Sequence, residues 1–284
     1  MSTDYSKVEQ QIATSINKLK GEKLPDALPQ WLIDNGIKPS ATILNAVDIG
    51  SASHNNKTDV LVNLDNSNPL KISVKKNNAD YYGNWYGHIR MMEVFGEQIF
   101  TKLTSVTTEW ANNIKNDPTW NNKPFVGVSL NFGKRSGKTK LNFDDVFNEE
   151  DILTIARGNG TGDNVANSLL ITTDGVINNV NELMNSLEEI SIDNILKTMD
   201  KFYIVFRPVN PMTEGTNRGK NIYTRFVPFK RLNKPTTVTT MSELNQLGTY
   251  KTVTPVLERP MLTHNFVLDD LEKNFNIIIP RKAK

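Results

Sequence analysis

The chain has 284 residues, 38% of them apolar and 23% charged, enough to bury a substantial core in one large domain or two small ones. A net charge of +2 excludes a global polycation argument for partners, and the absence of cysteine excludes a disulfide framework, a thiolate zinc site and a cysteine nucleophile. The polar start MSTDYSKVEQQ carries no signal-peptide pattern and no run approaches about 18 apolar residues, so a cytoplasmic protein without a membrane span is expected.

Residues 4–20 read as a first helix, with Val8, Ile12, Ile16 and Leu19 on one stripe and Glu9 at its edge. A proline-rich connector holds Trp31, Leu32 and Ile33, and residues 41–49 lead as a strand or helix end to Asp48. After an Asn-rich loop, KTDVLVNLDNSNPLKISVKK reads as a hairpin of two β-rich runs, 58–64 and 70–76, about a DNSNP turn. Centred on Ser67, it pairs Val60 with Val74, Val62 with Ile72 and Leu64 with Leu70 on a core face. The other face then sets Asp59 directly across from Lys75, ~5 Å apart at Cβ.

Residues 80–103 read as a long helix whose 3–4 stripe (Tyr82, Tyr86, Ile89, Gly96, Phe100, Leu103) has one gap, filled by Glu93. Counted from Tyr82, Glu93 returns to within about 20° of the same direction, on the apolar face. A further helix spans 105–116, a central strand 124–132, helices 144–157 and 179–200, and strands 201–209 and 221–229. The end mixes short β-like runs with a short helix near 267–273. Between 201 and 234, eight cations (Lys201, Arg207, Arg218, Lys220, Arg225, Lys230, Arg231 and Lys234) face Glu214 alone, a local charge of +7 suited to phosphates.

Familiar motifs fail. GKRSGKT has Phe132 where a phosphate-binding loop needs glycine. GNGTGD has Asp163 where the dinucleotide fingerprint needs its third glycine. His54, His88 and His264 are scattered, and no nucleophile elbow is present. Carboxylate and lysine chemistry remain. Metal-dependent phosphodiester hydrolysis needs oxygen ligands for Mg2+ and a cation near the attacking water, which Asp59, Glu93 and Lys75 would supply.

The hairpin resembles the core of the PD-(D/E)xK nuclease superfamily, to which most restriction endonucleases belong. Asp59 matches its aspartate and Lys75 its lysine, whereas Ser73 stands at the acidic position of the triplet and Thr58 where proline precedes the aspartate. It is closer to those restriction enzymes in which serine replaces that acid and a helix glutamate substitutes, here Glu93, and Glu9 matches a first-helix glutamate of other members. The resemblance implies a mixed central β-sheet flanked by helices (an α/β fold) in a single nuclease domain over 1–284. A catalytic core would cover about 1–135 and a basic, β-rich, DNA-contacting part about 200–284. It implies a Mg2+-dependent endonuclease of double-stranded DNA, of the type II restriction kind, acting as a homodimer. Asp59, Ser73, Lys75 and Glu93 would be catalytic, and Asp59, Glu93 and Glu9 metal ligands, with Asp48 a lesser candidate. Arg207, Arg218, Lys220, Arg225, Lys230 and Arg231 would contact DNA. Two rivals remain: a non-catalytic nucleic-acid-binding or virion-associated protein, and a protein-interaction module.

Overall fold

In a computed structural model of the chain, the described residues are 4–50, 56–76, 86–117, 123–134, 140–199, 202–213, 221–254 and 262–282. In chain order the elements are α1 (Asp4–Asn17), α2 (Gln30–Asp34), β1 (Ile43–Asp48), β2 (Val60–Leu64), β3 (Leu70–Lys76), α3 (His88–Ile114), β4 (Gly127–Gly133) and β5 (Lys140–Asn142). Then follow α4 (Glu149–Arg157), β6 (Ser168–Thr172), α5 (Val180–Ser186), β7 (Leu187–Glu188), α6 (Ile192–Met199), β8 (Tyr203–Pro208) and β9 (Thr224–Pro228). The chain ends with β10 (Thr236–Thr237), α7 (Met241–Leu247), β11 (Gly248–Thr252), α8 (His264–Phe275) and β12 (Ile277–Ile278). The protein is thus mixed α/β, in two compact units: 1–83 with 148–202, and 84–147 with 203–284. This division crosses the sequential reading, because residues 84–135 fold with 203–284.

The first unit is built on a five-stranded mixed sheet in the order β1-β2-β3-β6-β7, antiparallel except for the parallel pair β3–β6. Its core takes the α1 stripe (Val8, Ile12 and Ile16, continued by Leu19) and the inward residues Val60, Val62, Leu70, Ile72 and Val74. The hairpin register differs from the expected one by two residues: Val60 opposes Ile72 and Val62 opposes Leu70, while Leu64 opposes Ile43. The turn centres on Asn66, which adopts the left-handed conformation (φ 52) that asparagine tolerates better than most residues. The loop after α2 fixes it there, since Asn68 N–H donates to the Gly36 carbonyl and Lys38 N–H to Ser67 Oγ. A slip of two leaves every side chain on its expected face. On the outer edge, the Asn17 side chain donates to the Ala46 carbonyl (2.7 Å) and accepts from the Ala46 N–H (2.8 Å), occupying backbone groups of β1.

The expected helix over 179–200 is two helices separated by β7. Leu187 turns extended and buries against the sheet, where it opposes Leu170, so tertiary pairing overrides local helix propensity.

The second unit is built on a five-stranded sheet in the order β11-β9-β4-β8-β5, with β4 central and buried along its whole length. β8 and β9 therefore flank β4 rather than pair with each other. The two expected helices over 80–103 and 105–116 are one element, α3, interrupted at Gly96, where φ 81 and ψ 172 leave the helical region that only glycine departs from so cheaply. Among the described residues no helix is long and apolar enough to cross a membrane.

Candidate active site

Asp59 sits in a bend just before β2. Its N–H donates to the Ile72 carbonyl (2.8 Å), and its Oδ2 accepts from the Val74 N–H (2.7 Å). The carboxylate is therefore held by the backbone of β3, not by the register expected from the sequence. Lys75 is not its directly opposed residue, yet its Nζ lies 3.9 Å from Asp59 Oδ2. The ammonium donates to Ser73 Oγ (2.9 Å) and to the Val74 carbonyl (3.0 Å), and Ser73 Oγ donates in turn to Asp59 Oδ2 (3.5 Å). Ser73 is buried, while the Lys75 and Asp59 side chains keep 13% and 19% of their surface exposed. The three residues form a pre-oriented cation–hydroxyl–carboxylate chain that solvent reaches.

Two further carboxylates join it. Glu9 comes from the edge of the α1 stripe and is half-buried. Burial raises its pKa to about 7, and the negative charges of Asp59 and then Asp48 add to the rise, opposed by Lys75. Asp48, at the end of β1, is also raised, mainly by burial, with the Gly50 N–H opposing and Asp59 adding. That N–H donates to Asp48 Oδ1 at 3.3 Å, and the Ile49 and Gly50 amides both donate to the Asp59 carbonyl. Gly50 has a further role: a Cβ placed on it would lie 3.2 Å from Asp59 Oδ1 and 3.3 Å from Glu9 Oε2. Two carboxylate oxygens from different elements thus converge on a cradle that only the missing side chain leaves open.

Among the described residues no three acidic or histidine side chains already stand in a metal-holding group. The converging pair Glu9–Asp59, with Asp48 alongside, nevertheless has the chemistry of a hard-cation donor set: oxygen ligands only, and mutual repulsion that a cation relieves. When bound, Mg2+ would polarise a phosphate and acidify a water.

Glu93 does not face the apolar side of its helix; it is exposed, and it belongs to the second unit. The reason is the starting point of the count. Tyr82 lies outside the described residues and α3 begins only at His88, whose side chain is buried, as is that of Met91. Five residues from His88 and two from Met91 turn Glu93 by about 140° and 200°, to the opposite face.

Of the DNA-contacting candidates, Arg207 lies on β8, Arg225 on β9, and Lys230 and Arg231 in the exposed turn after β9. Arg218 and Lys220 lie outside the described residues, as do Lys201 and His54. His88 is a core residue: Nε2 bonds the Ile222 carbonyl at 2.6 Å, its ring packs edge-on against Phe100 and Tyr223, and burial lowers its pKa to about 4.

Sequence reasoning missed Gly50, which no motif marks, and underweighted Asp48, placed beside Asp59 by strand pairing that local pattern does not specify. Family models, curated proteins and solved structures alike yield no match to this chain.

Proposed function

We propose that this protein is a Mg2+-dependent endonuclease of double-stranded DNA, of the restriction type. The observation that carries the reading is the Lys75 ammonium fixed by Ser73 and Val74, 3.9 Å from a carboxylate on which Glu9 converges. Asp59, Glu9 and Asp48 would hold the cation. Lys75 would donate to a phosphate oxygen and orient the attacking water, a preorganised charge aimed where negative charge develops. Ser73 keeps the ammonium in place. In the hydrolysis, the water oxygen bonds to phosphorus as the bond to the departing sugar oxygen breaks, and the proton lost by water is balanced by one gained at the leaving oxygen. Arg207, Arg225, Lys230 and Arg231 would neutralise backbone phosphates. A palindromic duplex site would be met by a two-fold homodimer, a step that rests on symmetry alone.

The test is incubation of mixed plasmid and phage DNA with wild-type protein and Lys75→Ala, with Mg2+ and with EDTA. Discrete bands from the wild type in Mg2+ only, absent in Lys75→Ala, are expected; intact DNA in all lanes would overturn the reading. A second reading, nucleic-acid binding without cleavage, is favoured by the cation pair Arg225–Lys251 in the second unit. It would leave DNA intact and binding equal in EDTA and Mg2+.

A further inference from the structure

The outward row of β9 is Arg225 and Val227, alternating with buried Thr224, Phe226 and Pro228. Pairing continues beyond the strand, because the Phe229 N–H donates to the Leu247 carbonyl at 2.8 Å. By the two-residue period of a strand, Phe229 is the next outward position. It is 67% exposed, the most of any large apolar side chain among the described residues. At the other end of the row, Arg225 directly opposes Lys251 of β11. Like charges placed so destabilise a sheet, and neither has a carboxylate partner among the described residues.

Phe229 is followed by Lys230, Arg231 and Lys234, all exposed. Their turn is pinned: Leu232 N–H donates to the Phe275 carbonyl (3.0 Å), Asn276 Nδ2 to the Leu232 carbonyl (2.7 Å), and Arg231 to Asn276 Oδ1 (3.4 Å). An aromatic ring is thus held out in solvent on an anchored backbone, between two groups of cations.

We propose that this surface binds single-stranded nucleic acid, with a base stacked on Phe229 and the backbone phosphates running to Arg225 and Lys251. A polyanion removes the Arg225–Lys251 repulsion. Every base has a face for an aromatic ring, but only an unpaired base offers it, since duplex bases are already stacked on one another. Phe229 lies four residue steps along the chain from Arg225, ~13 Å of extended backbone, room for a base and its flanking phosphates. The proposal adds a recognition mode to the proposed function without resting on it, because cleavage is assigned to Lys75 and strand binding to Phe229.

The test is fluorescence anisotropy in EDTA with a labelled twelve-residue oligothymidine and a duplex of equal length. Phe229→Ala is expected to weaken oligothymidine binding about tenfold with an unchanged salt slope, while duplex affinity stays within twofold. Phe229→Trp should retain binding, with indole emission quenched by the strand. Lys251→Ala should instead lower the salt slope by about 0.7. Because Phe229 is exposed, both Phe229 variants should melt with wild type, and Lys251→Ala, relieved of the repulsion from Arg225, should melt with it or slightly above. Oligothymidine affinity unchanged in Phe229→Ala would overturn the proposal, as would equal losses for strand and duplex, or displacement of the strand by polyglutamate at matched charge. If Lys75→Ala fails to cut but keeps strand binding, the two assignments are separated; if wild type never cuts yet Phe229→Ala loses the strand, only the nuclease reading falls.

Discussion

The Lys75 ammonium reaches to within 3.9 Å of Asp59 Oδ2 although the two residues are not opposed in the hairpin. The side chain folds back over Ser73, spending hydrogen bonds on Ser73 Oγ and the Val74 carbonyl, and Asp59 is anchored independently by the Val74 N–H. Lys75→Ala should therefore cost little stability, about 0–1 kcal/mol as for partly exposed ion pairs. It should lower cleavage by at least about a hundredfold, with DNA binding retained. Plasmid nicking and a thermal melt check both parts; measurable cutting at the wild-type rate would remove this hairpin from the chemistry.

Glu9 gives the protein a pH signature. Its folded pKa, about 7, stands above the ordinary value of 4.5 for a glutamate in water, so between those values the folded state holds more protons than the unfolded one. Stability without Mg2+ then falls as pH rises from about 4.5 through 7. After allowance for the solvent-facing part of the carboxylate, the loss is on the order of 1–2 kcal/mol. Glu9→Gln should flatten this slope and leave the metal-free protein at least as stable as wild type at pH 8. Urea melts at pH 5, 6.5 and 8 in EDTA test it, and parallel slopes for the two proteins would exclude Glu9 as the titrating group.

Glu93→Gln should behave as a surface substitution, within about 0.5 kcal/mol of wild type, because Glu93 is exposed. The rise in Tm on adding Mg2+, which requires the native state to bind the ion, should persist in this variant and disappear in Glu9→Gln. Differential scanning fluorimetry with EDTA and with Mg2+ compares them, and the reverse pattern would restore Glu93 as a ligand.

Gly50→Ala isolates the cradle. No left-handed backbone is required at Gly50, so the effect is that of the methyl group, which must push against Asp59 Oδ1 at 3.2 Å and Glu9 Oε2 at 3.3 Å. Mg2+ affinity should fall about tenfold, the scale on which disturbed support of a metal site is felt, with little change in the metal-free Tm. Titration calorimetry reads it; unchanged affinity would place the ion away from Gly50.

Much of the first unit was legible because its signals are periodic. The α1 stripe, the core faces of β2 and β3, and the edge position of Glu9 follow from spacing alone. The register was not, because it depends on Asn66 taking a left-handed turn position and on the hold of Gly36 and Lys38 on that turn. Parity rescued the site: a slip of two keeps Asp59 and Lys75 near each other, whereas a slip of one would have parted them. Glu93 was misplaced because a helical count carries its phase only within a helix, and Tyr82 lies before the start of α3. The Arg225–Lys251 opposition could not be read, since it joins strands distant in the chain.

The interleaving of the two units has a consequence for synthesis. β3 leaves the ribosome with its second neighbour, β6, still untranslated, and the pairing of Ile72 with Ser168 waits for the intervening chain. At 5–20 residues per second this takes roughly 5–18 s, and closing so long a loop costs on the order of 4 kcal/mol in chain entropy. Meanwhile the far edge of the nascent sheet is already sealed where Asn17 binds Ala46, while β3 presents an open backbone ladder. The strand that carries Ser73 and Lys75 is thus open to wrong pairing during translation, and its lysines, Lys71, Lys75 and Lys76, supply the charge that discourages another strand from adding there.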